Sequence, residues 1–595
     1  MKKILIILFF SFINFVQSQN VQLAYDYFRK GEYNKAASIY KKLYDKNNNN
    51  KFYFKQLLTC YQEDEQFNEA KEFIENQKEK FPKQYHLNVE LGYNYQIQNL
   101  KVQADSLYLN AIKQVENYPR SARNTGNAFQ KNHMLDKALE VYEMAMLKNP
   151  KLNYNLNIAS IYGEKLEIEK MFNAYLNMIN HSENYYATIQ RYIGKFITDD
   201  SENENNKLFR KILIKRLQNN PKVSWNNLLS WLYMQQKDYD KALVQEKAIF
   251  KRSSSDLKKI FELADISLEA KNYEPAKDAY HFILENTNNQ IEVIKAEQNL
   301  LLIGIETAKT DEELNKVTEK FEALFEEYGK GSNTVNLQIA YADFLTFKLN
   351  KPTDAILILQ NASNISRSKY VKGDIKIKLA DILVYTNKFN QALITYTQVQ
   401  SDLRGSDIAQ IARLKVAKTS YYKGDFDWAK TQLRVLKSAT SKLISNDALK
   451  LNLLIGDNIA EDTIRIALKK YATADLLAFQ NKNKQAIDTL NVLLKDYKGH
   501  AVEDEALFKQ AEIFKITKQF AFAENNYLKI IEIKKDGILV DDALYNLGNL
   551  YADELHDNEK AKEMYQKIIF DFASSIYLVD ARKKFRKLRG DKSIE

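Results

Sequence analysis

Apolar residues recur along the chain at steps of three and four, the spacing that returns to one face of a 3.6-residue helix. Tyr33, Ala36, Tyr40 and Leu43 form one such stripe, and Leu23, Ala24 and Tyr27 mark a shorter one just upstream. The two stripes predict a pair of short helices joined by a tight turn. A helix of about 13 residues is marginal in water by itself, so the pair must lean on neighbours. The pattern then repeats. Ala36, Ala70, Ala104 and Ala138 stand 34 residues apart, and twelve positions before each come Ala24, Leu58, Gly92 and Gly126. Tyr27, Tyr61, Tyr95 and Phe129 follow those by three, Tyr40, Ile74, Tyr108 and Tyr142 follow the alanines by four, and Pro82 and Pro150 close the second and fourth units. Small residues fit where two backbones approach, and large aromatics fill the gap between hairpins.

An aromatic three residues before alanine recurs as Tyr33/Ala36, Phe67/Ala70, Tyr239/Ala242, Tyr273/Ala276, Phe389/Ala392, Phe426/Ala429 and Phe520/Ala523. Order and spacing resemble the tetratricopeptide repeat family (TPR), of 34-residue helix-turn-helix units. The resemblance implies an all-α fold, a right-handed α-solenoid superhelix of TPR hairpins. Ala355, Ala392 and Ala429 are 37 apart, as are Ala486 and Ala523, with Ala561 38 further on, which predicts longer turns in the C-terminal units. This wider spacing resembles the repeats of bacterial envelope proteins, and the terminal segment is similar to that of exported Bacteroidota TPR proteins.

Asn155 to Pro221, Asn289 to Asn333 and Lys437 to Thr463 depart from the consensus yet still read as helical. The distance from Ala138 to Ala242 leaves room for two degenerate units in the first of them. The polar run Asp199–Asn206 and the cluster Gly329–Asn333 read as turns, the first a candidate hinge. They divide the chain into a signal peptide at 1–18, an N-terminal array at 19–200, a degenerate middle array at 201–335 and a C-terminal array at 336–595 with a basic capping helix.

Targeting rests on the first residues. Met1-Lys2-Lys3 is basic, Ile4 to Val16 almost wholly apolar, and Val16-Gln17-Ser18 offers a small residue at a cleavage site, as in a secretory signal peptide. About 13 apolar residues fall short of the roughly 20 that span a bilayer. The single cysteine, Cys60, does not follow the cleavage site, which argues against a lipoprotein. Export to a periplasm is expected, with outer-membrane association an option.

Composition narrows the chemistry. Six prolines and 16 glycines in 595 residues exclude collagen-like and turn-rich β classes, and one cysteine excludes a disulfide framework. A net charge of +10 spread over the chain gives no nucleic-acid stripe. His86, His133, His181, His281, His500 and His556 are scattered, without metal-ligand spacing, and no phosphate-loop, dinucleotide or nucleophile-elbow motif occurs. No catalytic residue, cofactor or metal is expected. Cys60, between Leu57 and Tyr61, reads as a buried small hydrophobe.

The resemblance implies a non-enzymatic scaffold whose first helices line a groove for partner proteins or peptides of the cell envelope. The family's groove positions fall on Tyr25, Phe28 and Arg29, on Thr59, Gln62 and Glu63, on Tyr93, Gln96 and Ile97, and on Asn127, Gln130 and Lys131. The basic clamp by which some relatives hold a C-terminal carboxylate is not matched, since Lys55 is followed by Thr59 where the clamp has asparagine. Arg582, Lys583, Lys584, Arg586, Lys587 and Arg589 concentrate charge in the last helix. They read either as a cap whose cations suit the helix dipole or as a dock for an anionic membrane or acidic partner. Alternatives are a component of an outer-membrane assembly, secretion or gliding complex, and a glycan-binding or enzymatic protein with its site hidden in the degenerate stretches.

Overall fold

The computed structural model describes residues 20–253, 256–439, 441–459, 465–533 and 537–590, and among them there is no strand. The signal peptide expected at 1–18 lies outside the described residues. Two compact units divide the chain, Met1–Lys237 and Asp238–Glu595. Each is a stack of antiparallel helix pairs, an all-α solenoid. In the first unit, residues 20–29 pair with Tyr33–Lys46, Lys51–Glu63 with Phe67–Lys80, His86–Gln96 with Lys101–Asn117, and Ala122–Lys131 with Leu135–Lys148. The degenerate stretch beyond them supplies one more pair, Asn155–Glu164 with Ile168–His181, followed by the helices Tyr186–Ile193 and Glu204–Asn219.

In the second to fifth hairpins the turn is closed by backbone hydrogen bonds. Glu65, Asn99, His133 and Leu166 adopt left-handed φ of 56°, 62°, 57° and 58°. The next amide then reaches back over the turn: Gln66 N–H to Tyr61 O at 2.8 Å, Leu100 to Tyr95 at 3.0 Å, Met134 to Phe129 at 2.9 Å and Glu167 to Tyr162 at 2.9 Å. This satisfies carbonyls that a helix end leaves orphaned.

Packing within a hairpin follows a small-against-large rule. A Cβ added to Gly92 would come within 2.5 Å of the Tyr108 ring, one on Gly126 within 2.4 Å of Tyr142, and one on Gly548 within 2.7 Å of Tyr565. Where the second helix carries Ile74 instead, the corresponding first-helix residue is Leu58, and all of these side chains except the glycines' are buried. The buried tyrosine hydroxyls then find polar partners on the first helix. Tyr142 donates to Asn127 Oδ1 at 2.7 Å, Tyr280 to Asp265 at 2.7 Å, Tyr396 to Asp381 at 2.5 Å and Tyr565 to Asn549 at 2.8 Å. The following element joins each pair. Asn299 donates to both Tyr280 and Asp265, at 2.8 and 3.1 Å, Lys415 to Asp381 at 3.0 Å, and Lys584 to Asn549 at 2.6 Å. Two second-helix tyrosines, Tyr40 and Tyr527, keep buried hydroxyls without a hydrogen-bond partner.

Several expectations change. The breaks placed near 200 and 335 fall inside the two units. Asn206 ties the polar run down, donating to Thr198 O at 2.8 Å and Asp200 O at 2.6 Å, so it is a fastened turn. Thr334 and Gln338 do the same around Gly331. The 37-residue spacing does not come from longer turns between Ala355 and Ala429: Lys369–Tyr385 and Asp407–Lys423 have 17 residues each where Lys51–Glu63 has 13. Between Ala486 and Ala523 most of the extra length lies in the link 497–502, and the helix Glu503–Ile516 has 14 residues where Lys51–Glu63 has 13. The stretch 437–463 holds one inserted helix, Lys442–Ile459.

Candidate partner-binding groove

Asn50 caps the helix Lys51–Glu63, its Oδ1 accepting from Phe52 N–H at 2.9 Å and Tyr53 N–H at 3.3 Å. The cap fixes where the helix starts, and a step of four sets Lys51 and Lys55 on one face. With His86–Gln96 and Ala122–Lys131 this helix borders a cavity of about 270 Å³, closed at one end by the links carrying Asn48–Asn50 and Phe81–Gln84. Phe54, Leu58, Phe81 and Ala128 give it apolar wall, while Lys51, Lys55, Lys131, Asn124 and Asn127 give it donors.

One carboxylate stands among these cations. Glu90 is only 8% exposed, its Oε2 has no hydrogen-bond partner, and the nearest cation is Lys131 Nζ at 3.9 Å. Burial lowers the Lys131 ammonium pKa and Lys55 lowers it further, against the pull of Glu90. Burial, with the charge of Lys51, brings His86 down to about 4, so its imidazole is neutral near pH 7. Three ammonium groups against one carboxylate leave the cavity cationic. It can hold an extended polypeptide by amide hydrogen bonds and apolar contact, and receive an anionic group beside the lysines.

Of the groove positions carried over from the resemblance, Asn127 and Lys131 line this cavity. Tyr25, Arg29 and Glu63 are exposed elsewhere on the first helices, and Thr59, Tyr93 and Ile97 are half-buried. The others serve the fold. Phe28 packs edge-on against Tyr33 at 5.3 Å, Gln62 is buried, and Thr59 donates to its own helix at Lys55 O. Gln96 and Asn127 accept from the hydroxyls of Tyr108 and Tyr142, and Gln130 donates to Glu164 of the next hairpin. His86, Glu90, Asn124 and Lys51 were missed. They stand nearer the starts of the first helices, where the links fold over, and the i,i+4 pair Lys51/Lys55 beside Asn48–Asn50 was the available signal.

In the second unit the C-terminal ends of several first helices pack on one another. Phe479, ending the helix Ile466–Phe479, packs on Phe347 at 5.6 Å and on Tyr422 at 6.1 Å. Gln480 donates to Tyr385 O and Asn387 Oδ1, both at 2.9 Å, and Asn481 to Phe347 O at 2.8 Å. Nearby, Lys509 pairs with Asp475 at 3.0 Å. Burial and the neighbouring Asp504 raise the Glu505 carboxyl pKa, and Glu505 Oε2 has no partner. Among the described residues of 155–221 and 289–333, the buried polar side chains are Asn206 and Asn299. No group of three His, Cys, Asp or Glu among the described residues could hold a metal ion.

The basic end forms the helix Leu578–Arg589. Lys584 turns inward, bonding Asn549 Oδ1 at 2.6 Å and Tyr545 Oη at 3.2 Å, so it belongs to the packing. Arg582, Lys583, Arg586, Lys587 and Arg589 are exposed, with Arg589 over the Phe585 ring at 5.3 Å.

Residues 542–575, essentially the last hairpin, match the family model for the tetratricopeptide repeat. Among solved structures, the chain is similar to one of Naa15/Naa10 bound to HypK-THB, at 11% identity over 96% of each chain with a TM-score of 0.29. It is similar to yeast Tom70 at 14% identity over 76% of this chain and 98% of that one, with a TM-score of 0.32. Against the Cut9-Hcn1 hetero-tetramer of APC/C the identity is 12% over 96% of each chain, with a TM-score of 0.21. No curated protein matches.

Proposed function

We propose that the chain is a non-enzymatic TPR scaffold that recruits other proteins, and that its first unit grips a partner segment carrying an anionic group. The observation that carries this reading is the cavity lined by Lys51, Lys55 and Lys131 between apolar walls, where the buried Glu90 meets Lys131 at 3.9 Å and its Oε2 has no hydrogen bond. Export to the periplasm and a role in the cell envelope follow from the reading of Met1 to Ser18 as a signal peptide, and mass measurement of the mature N-terminus after fractionation tests that part.

Photo-crosslinking in the native cell tests the groove. A crosslinker at Asn124 should yield discrete adducts that disappear when Lys51→Glu and Lys55→Glu are combined. A crosslinker at Leu147, 80% exposed on a second helix, should yield none of those adducts. The same adducts from both positions, or adducts indifferent to charge reversal, would overturn the reading.

A further inference from the structure

We propose that the C-terminal helix Leu578–Arg589 docks the chain on the surface of an anionic phospholipid bilayer; this rests on surfaces other than the groove. The helix is held in one orientation. Ala581 is fully buried, Phe585 and Leu588 pack on the core of the last hairpin, and Lys584 is fastened to Asn549 and Tyr545. Steps of three and four place these four residues on one face, so the opposite face is presented outward as a fixed ridge.

That ridge is basic and apolar together. Val579 is 78% exposed, Ile576 in the preceding link 85%, and Arg582, Lys583, Arg586 and Lys587 are all exposed. Val579 and Arg586, seven residues apart, share the outward face with Lys583 between them.

Charge pairing elsewhere makes the ridge unusual. In the preceding helix Lys562 pairs with Glu559 at 2.6 Å and Lys567 with Glu563 at 2.8 Å. Arg582, Arg586 and Lys587 make no ion pair with any described residue. Asp580, the one acid in the helix, accepts from the Tyr545 hydroxyl at 2.5 Å and lies 3.4 Å from Lys584, so it is engaged on the inward side.

A bilayer interface satisfies both halves of this surface. Phosphate headgroups take guanidinium groups in two-point contacts, and the acyl boundary takes bulky aliphatic side chains that water does not. An acidic protein would answer the arginines but leave Ile576 and Val579 without a partner. Attraction of this kind weakens with salt.

Vesicle flotation with the purified full chain decides it. The chain should float with vesicles containing phosphatidylglycerol and stay at the bottom with phosphatidylcholine alone, and high salt should release it. Arg582→Glu with Arg586→Glu should weaken binding roughly tenfold or more. Ile576→Ser with Val579→Ser should weaken it several-fold without changing the salt dependence. Both variants leave Ala581, Lys584, Phe585 and Leu588 intact, and unchanged helical circular dichroism confirms folding. Failure of the wild-type chain to float, or equal flotation of the charge-reversed variant, would overturn the proposal. So would polyglutamate displacing the chain from vesicles while the Ile576/Val579 variant binds as well as wild type, an outcome that assigns the ridge to an acidic protein.

Discussion

The ring of Tyr108 fills the space that a side chain on Gly92 would need, an added Cβ falling 2.5 Å from Cε1. The ring cannot swing away, because its hydroxyl is held by Gln96 at 2.8 Å and its body is buried. Gly92→Ala gains up to about 1 kcal/mol of helix propensity but overpacks the site at a cost of about 1–3 kcal/mol. Net destabilisation is expected, read as a lower denaturation midpoint of the first unit. Combining Gly92→Ala with Tyr108→Leu should restore part of the loss, as the Leu58/Ile74 pair shows that the site accepts another division of volume.

Leu166 stands at a left-handed φ of 58° with 81% of its surface exposed, so it bears backbone strain without packing in return. Leu166→Gly should stabilise the first unit by about 0.5–1 kcal/mol, and Leu166→Val should destabilise it. Chemical denaturation of the three proteins side by side gives the order.

Burial raises the Glu505 pKa above its ordinary 4.5. The folded value lies above the unfolded one, so the stability this group contributes is complete below pH 4.5 and is lost as pH rises through the folded value. Glu505→Gln should therefore leave the second unit nearly unchanged in acid and stabilise it at alkaline pH, by roughly 1–3 kcal/mol. Hydrogen exchange of the helix Glu503–Ile516 across that range is the readout. A variant whose advantage does not grow with pH would contradict the sign.

Cys60 is fully buried, and burial pushes its thiol up to about 12, aided by Asp64 and Glu63. In mildly alkaline buffer the native chain should resist alkylation over hours, and denaturant should make it react at the rate of a free thiol. Rapid labelling of the native protein would show that the first two hairpins open.

The hairpins could be read from the chain because packing demands a size, and alanine, glycine and tyrosine declare it at fixed intervals. The turns were less visible. Their left-handed residues are Glu65, Asn99, His133 and Leu166, which carry no glycine signal even though the geometry recurs. Of the family positions, Asn127 and Lys131 line the cavity beside Glu90; the links that contribute Asn48–Asn50, Phe81 and Gln84 to its wall are not encoded by those positions. Contacts such as Gln480 with Tyr385, separated by 95 residues, leave no periodic trace.

The tyrosine bridges bear on how the chain gives way under tension. Where Asn299 bonds Tyr280 and Asp265, Lys415 bonds Asp381, and Lys584 bonds Asn549, a third helix is tied to the tyrosine pair and neighbouring layers must part together. Where the hydroxyls of Tyr40 and Tyr527 lack that tie, the stack has ready-made seams. Pulled from its ends, the protein should rip in steps whose contour lengths map to those two tyrosines before the bridged layers yield.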